Sequence, residues 1–237
     1  MSAPELIVGL DVATFDEARG VLDALDGLPV MYKVGLEAFS AYGEEIRAEL
    51  VRRKQPYFLD LKLHDIPNTV ARAMRALVRP GARIINVHAL GGNEMMRAAV
   101  ESAEARADEL GIEPPEIFAV TILTSIAPED LRELGLTGGP GENAIRLAAL
   151  ARDAGCAGVI CSPREVPDLK KFFGSEFKTL TPGIRPSDAA HGDQKRLTTP
   201  SEARDAGSDY IVVSRPILEA RDMRAAAQAI LSELVPA

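Results

Sequence analysis

The sequence predicts an α/β fold, a (β/α)8 TIM barrel built as a single domain over residues 1–237. Three observations point there. Short apolar runs alternate with longer stretches of helical spacing from end to end, the pattern of successive β-α units around a parallel sheet. The runs number eight, and the length of 237 residues suits one closed barrel of about 250 residues better than an open doubly wound sheet. No Pro/Gly/Ser-rich linker and no internal repeat beyond the β-α alternation divides the chain.

In order, strands are expected at residues 6–12 (LIVGLDV), 30–36 (VMYKVGL), 57–63 (YFLDLKL), 83–89 (RIINVHA), 116–123 (EIFAVTIL), 158–162 (GVICS), 178–184 (KTLTPGI) and 209–215 (DYIVVSR). Segments of helical spacing lie between them. Phe39, Tyr42, Ile46 and Leu50 form one apolar stripe after the second strand, and Val70, Met74, Leu77 and Val78 form another after the third. Each stripe can cover one stretch of sheet. The Gly-rich LTGGPGEN (136–143) lacks the Lys-Ser/Thr of a P-loop and reads as the turn into the next helix. The polar stretch at 185–199, where the seventh β-α loop belongs, is too long for a plain connection and is expected to be a lid.

Composition narrows the function classes. Hydrophobic residues make up 46% and charged residues 26%, enough apolar area for a core. The 27 Lys and Arg against 35 Asp and Glu leave a net charge of -8, which disfavours nucleic acid and anionic membranes as partners. An absence of Trp, with only 4 Tyr and 7 Phe, also removes the base-stacking surface of single-strand binders. The N-terminal stretch has no basic n-region and meets Asp11 after a short apolar run, and no run approaches membrane-span length, so a cytoplasmic location is expected. Cys156 and Cys161 lack metal-site spacing and read as small buried hydrophobes.

The chemistry should lie at the C-terminal ends of the strands. Asp11 ends the first strand, Lys33 interrupts the second, Asp60 and Lys62 interrupt the third with Asp65 just beyond, and Arg215 ends the eighth. Asp60 and Lys62 share one face by alternation, opposite Leu59, Leu61 and Leu63, so they should face the barrel interior. A single such pair could be a self-satisfied ion pair. Lys33, Asp60, Lys62 and Asp65 together form a near-neutral set that can also aim one Lys at a ligand. Asp65 has a second reading as N-cap of the helix beginning near Pro67. No metal is expected, since Lys33 and Lys62 occupy or repel the positions from which Asp60 and Asp65 would chelate a cation. No nucleophile triad is visible.

The run LDLKLHDIPNTV (59–70) resembles the D-x-K-x-x-D-I-x-x-T signature of the orotidine 5'-phosphate decarboxylase family, in its metal-independent bacterial type. LDVAT, YKVGLE, VTILTS, TPGIRP, GDQKR and SRPI resemble the family's other blocks, in order, over essentially the whole chain. The D-x-K-x-x-D core is shared with Mg-dependent barrel enzymes acting on sugar phosphates, which carry an acidic residue where this chain has Lys33. A decarboxylase or aldolase of that kind is the alternative reading, and a noncatalytic nucleotide-sensing barrel is a third. The resemblance implies loss of CO2 from orotidine 5'-phosphate (OMP) to give UMP, without a cofactor, in pyrimidine biosynthesis.

What the resemblance implies for single residues is equally specific. Lys62 would face the developing C6 carbanion and protonate it, with Asp60 beside the leaving carboxylate and Lys33 and Asp65 completing the catalytic set. Asp11 and Lys33 would hold the ribose, while Asp65 and Thr69 would reach a ribose hydroxyl in the neighbouring subunit of a homodimer. Thr124 and Ser125 would meet the pyrimidine edge, although they read equally well as a turn into the next helix. Arg185 and Arg215, with backbone near Pro182, Gly183 and Ser214, would bind the phosphate, and Gln194 would close over it. Ser214 stands where the family usually has Gly, putting a small side chain at that site. His64, on the face away from Lys62, and His191, on the lid, are expected in surface or supporting roles, and His88 in a supporting hydrogen bond.

Overall fold

The computed structural model describes residues 3–186 and 198–235. The chain runs β1 (Glu5–Gly9), α1 (Phe15–Ala24), β2 (Val30–Gly35), α2 (Leu36–Arg52), β3 (Tyr57–Leu63), α3 (Pro67–Leu77), β4 (Ala82–His88) and α4 (Gly92–Leu110). It continues through β5 (Glu116–Val120), α5 (Pro128–Glu133), α6 (Pro140–Asp153), β6 (Gly158–Ile160), α7 (Val166–Phe173), β7 (Lys178–Thr181), α8 (Pro200–Ala206), β8 (Tyr210–Val213), α9 (Arg215–Leu218) and α10 (Met223–Leu234). All eight strands are parallel, and β8 pairs back onto β1 to close the barrel. The predicted (β/α)8 barrel is therefore the observed one.

Alternation along each strand builds two apolar layers. Ile7, Met31, Phe58, Ile84, Phe118, Ile160, Leu180 and Tyr210, one from every strand, fill the barrel interior, joined by Val120 and Val212. Their neighbours, such as Leu6, Val8, Tyr32 and Leu59, pack outward against the helices. The stripe of Val70, Met74 and Leu77 on α3 is buried as expected, as are Tyr42, Ile46 and Leu50 on α2. Among the described residues no helix is long and apolar enough to cross a membrane.

The two ends of the barrel differ. At the N-terminal end Arg83 donates to both carboxylate oxygens of Glu5 at 2.7 Å, Lys178 pairs with Glu116, and the Tyr210 hydroxyl donates to Glu116 at 3.1 Å. These pairs close the floor. At the C-terminal end several strands stop earlier than expected: the first at Gly9, the fifth at Val120, the sixth at Ile160, the seventh at Thr181 and the eighth at Val213. There the backbone leaves the ladder and splays around a cavity, a departure that apolar content cannot signal.

Candidate active site

That cavity has a volume of about 590 Å³ and opens at the C-terminal mouth of the barrel. Its base is apolar, formed by Phe58, Val120, Ile160, Leu180 and Val212. Its walls carry Asp11, Lys33, Asp60 and Lys62 together with Arg185, Ser214 and Arg215. A low-dielectric base beneath paired charges suits a ligand with an apolar ring and anionic groups.

The charged wall originates in an irregularity of β3. In the ladder with β4, Leu59 pairs with Ile85, yet the next register partner of Val87 is Leu63, so β3 holds two residues more than β4 over this stretch. The extra residues bulge, and Lys62 takes a left-handed backbone (φ 49°), a conformation that costs a side-chain-bearing residue about 1–3 kcal/mol and persists only when its surroundings enforce it. Asn86 on β4, fully buried, supplies the enforcement. Its Oδ1 accepts the Lys62 backbone N–H at 2.7 Å, and its Nδ2 donates to Asp60 Oδ1 at 2.7 Å.

The ionic groups form a line of alternating sign. Asp11 Oδ1 lies 2.9 Å from Lys33 Nζ, Lys33 Nζ lies 3.5 Å from Asp60 Oδ2, and Asp60 Oδ1 lies 2.6 Å from Lys62 Nζ. Side-chain exposure is 11% for Lys33 and 14% for Asp60, but 32% for Lys62 and 38% for Asp11. All four line the cavity, Lys62 and Asp11 as the more exposed ends of the line and Lys33 and Asp60 as its more buried middle. Burial alone would lower the Lys33 pKa, but the charges and hydrogen bonds of Asp60 and Asp11 outweigh it and raise the net value above 10.5. Burial pushes Asp60 upward, and the Lys33 and Lys62 charges with hydrogen bonds from Lys62 and Asn86 bring it below 3.8. Both groups are ionised at neutral pH. The end of β1 that carries Asp11 is fixed by the Leu10 N–H, which donates to Lys33 O at 2.9 Å, and by the Tyr42 hydroxyl, which donates to Val12 O at 2.7 Å.

At the end of β7, Gly183 (φ 81°) turns the chain out of the strand through a conformation suited to glycine, and buried Arg185 follows. The Arg185 N–H donates to Thr198 O at 3.0 Å, so the two described ends of the 185–199 stretch are joined by backbone. Ser214 has φ -126°, which does not require glycine, and its hydroxyl donates to Gly9 O at 3.3 Å across the β8–β1 seam.

Of the residues singled out from sequence, Asp11, Lys33, Asp60, Lys62, Thr124, Pro182, Gly183, Arg185, Ser214 and Arg215 line this one cavity. Asp65, Thr69 and Ser125 do not line it; all three are exposed. The line of charges is completed by Asp11 and not, as expected, by Asp65. Asp65 is not the N-cap of α3 either: Ile66 holds that position without a side-chain cap, and Asp65 Oδ1 accepts the Ile66 N–H at 2.7 Å. Pro67 at the first turn has no N–H to satisfy, which lessens the need for a cap. Gln194 and His191 lie outside the described residues.

His64 is exposed, as a surface role requires. It follows the last residue of β3, so strand alternation does not set its direction, and its ring stacks on His88 with centroids 5.3 Å apart. His88 Nδ1 accepts the Leu90 N–H at 3.4 Å, and burial, with the charges of His64 and Lys62, lowers its pKa to about 4. The neutral ring therefore carries its proton on Nε2. The residue missed from sequence is Asn86; its signal was a lone carboxamide in the apolar run RIINVHA, beside the strand carrying Asp60 and Lys62. Among the described residues no group of three or more His, Cys, Asp or Glu is placed to hold a metal ion.

Comparison with known proteins adds independent findings. The chain is 44% identical to an orotidine 5'-phosphate decarboxylase of Saccharophagus degradans over 99% of its own length and 96% of the relative's. It is 42% identical to one of Vibrio cholerae over 99% of this chain and 100% of that one. Among solved structures, the orotidine 5'-phosphate decarboxylase of Lactobacillus acidophilus superposes with a TM-score of 0.87 at 39% identity, covering 98% of this chain and 100% of that one. The sequence profile of the Orotidine 5'-phosphate decarboxylase / HUMPS family matches residues 4–230, so nearly the whole barrel is accounted for and the chain belongs to that family.

Proposed function

We propose that the protein is a carboxy-lyase that converts OMP to UMP. The observation that carries this reading is the Lys62 ammonium, 2.6 Å from Asp60, at the cavity end of the line of alternating charges. The electrons left at C6 by departing CO2 lie in the plane of the ring, where its π system cannot delocalise them, so stabilisation must come from a charge placed in advance. Lys62 supplies that charge and then the proton: the C6–carboxylate bond breaks, its electron pair stays on C6, and a Lys62 N–H proton is transferred to C6. Asp60 keeps Lys62 oriented and faces the leaving carboxylate, while Lys33, held between Asp60 and Asp11, fixes both. Asp11 and Lys33 bind the ribose, Thr124 the pyrimidine edge, and Arg185 and Arg215, with the backbone near Pro182, Gly183 and Ser214, the phosphate.

The competing Mg-dependent chemistry needs an acidic residue where Lys33 stands. An ammonium 2.9 Å from Asp11 and 3.5 Å from Asp60 repels a divalent cation from both carboxylates. Our reading further includes a cytoplasmic homodimer in which Asp65 and Thr69 serve the neighbour's site, and a lid at residues 185–199 bringing Gln194 over the phosphate. The exposed positions of Asp65 and Thr69 support the first of these. The test is the disappearance of orotate-ring absorbance when OMP is mixed with chelator-treated protein. Turnover that requires added Mg2+ would favour the sugar-phosphate branch, and binding of OMP without turnover would favour a nucleotide sensor.

A further inference from the structure

We propose that Asn86 is a positioning residue of the reaction, one carboxamide that sets both the backbone of Lys62 and the side chain of Asp60. The inference deepens the reading of Lys62 as proton donor and rests on it. The two-residue slip of β3 against β4 takes the Lys62 N–H out of the strand ladder, and a left-handed backbone aims its side chain back toward Asp60. Asn86 meets both needs at once, accepting from the Lys62 N–H at 2.7 Å and donating to Asp60 Oδ1 at 2.7 Å. The orientation of the amide is unambiguous, because a backbone N–H only donates and a carboxylate only accepts. That same Asp60 oxygen takes the Lys62 ammonium at 2.6 Å, so three hydrogen bonds converge at one bulge.

The chemistry of this position is narrow. It requires one acceptor and one donor on a two-carbon arm: Leu offers neither, and Asp offers both only while protonated. The groups around Asn86 are Asp60 and Lys62 on β3, with Lys33 of β2 and then Asp11 beyond Asp60, and His88 with its stacked partner His64 at the end of β4. Its register partner on β5 is the apolar Phe118. In the Asn86→Asp variant a second carboxyl group would face Asp60 at hydrogen-bond distance, and one proton shared between the two would restore the native pattern.

The experiment measures OMP turnover and UMP affinity for wild type, Asn86→Leu and Asn86→Asp across pH. Asn86→Leu is expected to lose about 100-fold in kcat with UMP affinity nearly unchanged, because the ribose and phosphate contacts do not involve this residue. Asn86→Asp is expected to regain activity as the pH is lowered and lose it as the pH is raised, relative to wild type at each pH. If Asn86→Leu does not fold, the Asn86→Asp series decides alone. A folded Asn86→Leu within threefold of wild-type kcat, or an Asn86→Asp loss that is the same at every pH, would overturn the proposal. A wild-type protein that leaves OMP unconsumed fails the function itself, which the variants leave distinguishable.

Discussion

Asp60 Oδ1 lies 2.6 Å from the Lys62 ammonium although one residue separates the two on β3. That closeness needs the bulge as well as the alternation, since Lys62 reaches back over a left-handed turn of its own backbone. Asp60 is thereby tied to two lysines and an asparagine at once.

Stability in acid should report this arrangement. Asp60 has a folded pKa below its unfolded value of 3.8, so its contribution is complete above that pH and is lost as the pH falls through the folded value. His88 acts higher on the scale. Its folded pKa of about 4 lies below the unfolded 6.5, so the unfolded chain takes up the proton first and stability declines between pH 6.5 and about 4. Urea midpoints measured against pH should show both slopes in wild type. Asp60→Asn should flatten the lower one and His88→Gln the upper one; parallel curves for all three proteins would contradict both assignments.

The phosphate wall should drive chemistry as well as binding. Arg185 and Arg215 line the same cavity as Lys62, so on the proposed reading the binding energy of the phosphate is available to the chemical step. Orotidine, lacking the phosphate, should lose kcat along with affinity. Arg215→Ala should show the same losses on intact OMP, and free phosphite should partly restore turnover of orotidine. Saturating kcat equal for the two substrates would remove the lid from the mechanism.

Asp65 gives a test of the dimer. It is exposed and outside its own cavity, so Lys62→Ala and Asp65→Ala subunits, each inactive alone, should complement when refolded together. Random exchange makes half the dimers mixed, each with one intact site of two, and activity should return to about a quarter of wild type. Demonstrated heterodimers without recovered activity would confine Asp65 to its own subunit.

The barrel was legible because each strand is an apolar run and each helix an apolar stripe, patterns fixed by burial. Asp60, Lys62, Lys33 and Asp11 were legible because charges at strand ends violate that pattern. Three features were not. Asn86 is uncharged and differs from its apolar neighbours by one polar group, and its importance depends on a register slip in another strand. The stacking of His64 on His88 occurs one residue beyond β3, where period-two reasoning no longer applies. The place of Asp11, rather than Asp65, at the end of the charged line depends on the pairing that brings the end of β1 beside β2, and on a bend at Asp65 that leaves it exposed.

The central claim, that Lys62 stabilises and protonates the carbanion, is tested most directly by single-turnover decarboxylation of OMP with Lys62→Ala beside wild type, both chelator-treated and both shown to bind UMP. Removing a preorganised charge from such a site costs about 3–4 kcal/mol or more, so the variant should be slower by a factor of at least about 150. A folded, UMP-binding Lys62→Ala protein that keeps more than a tenth of the wild-type rate would contradict the account.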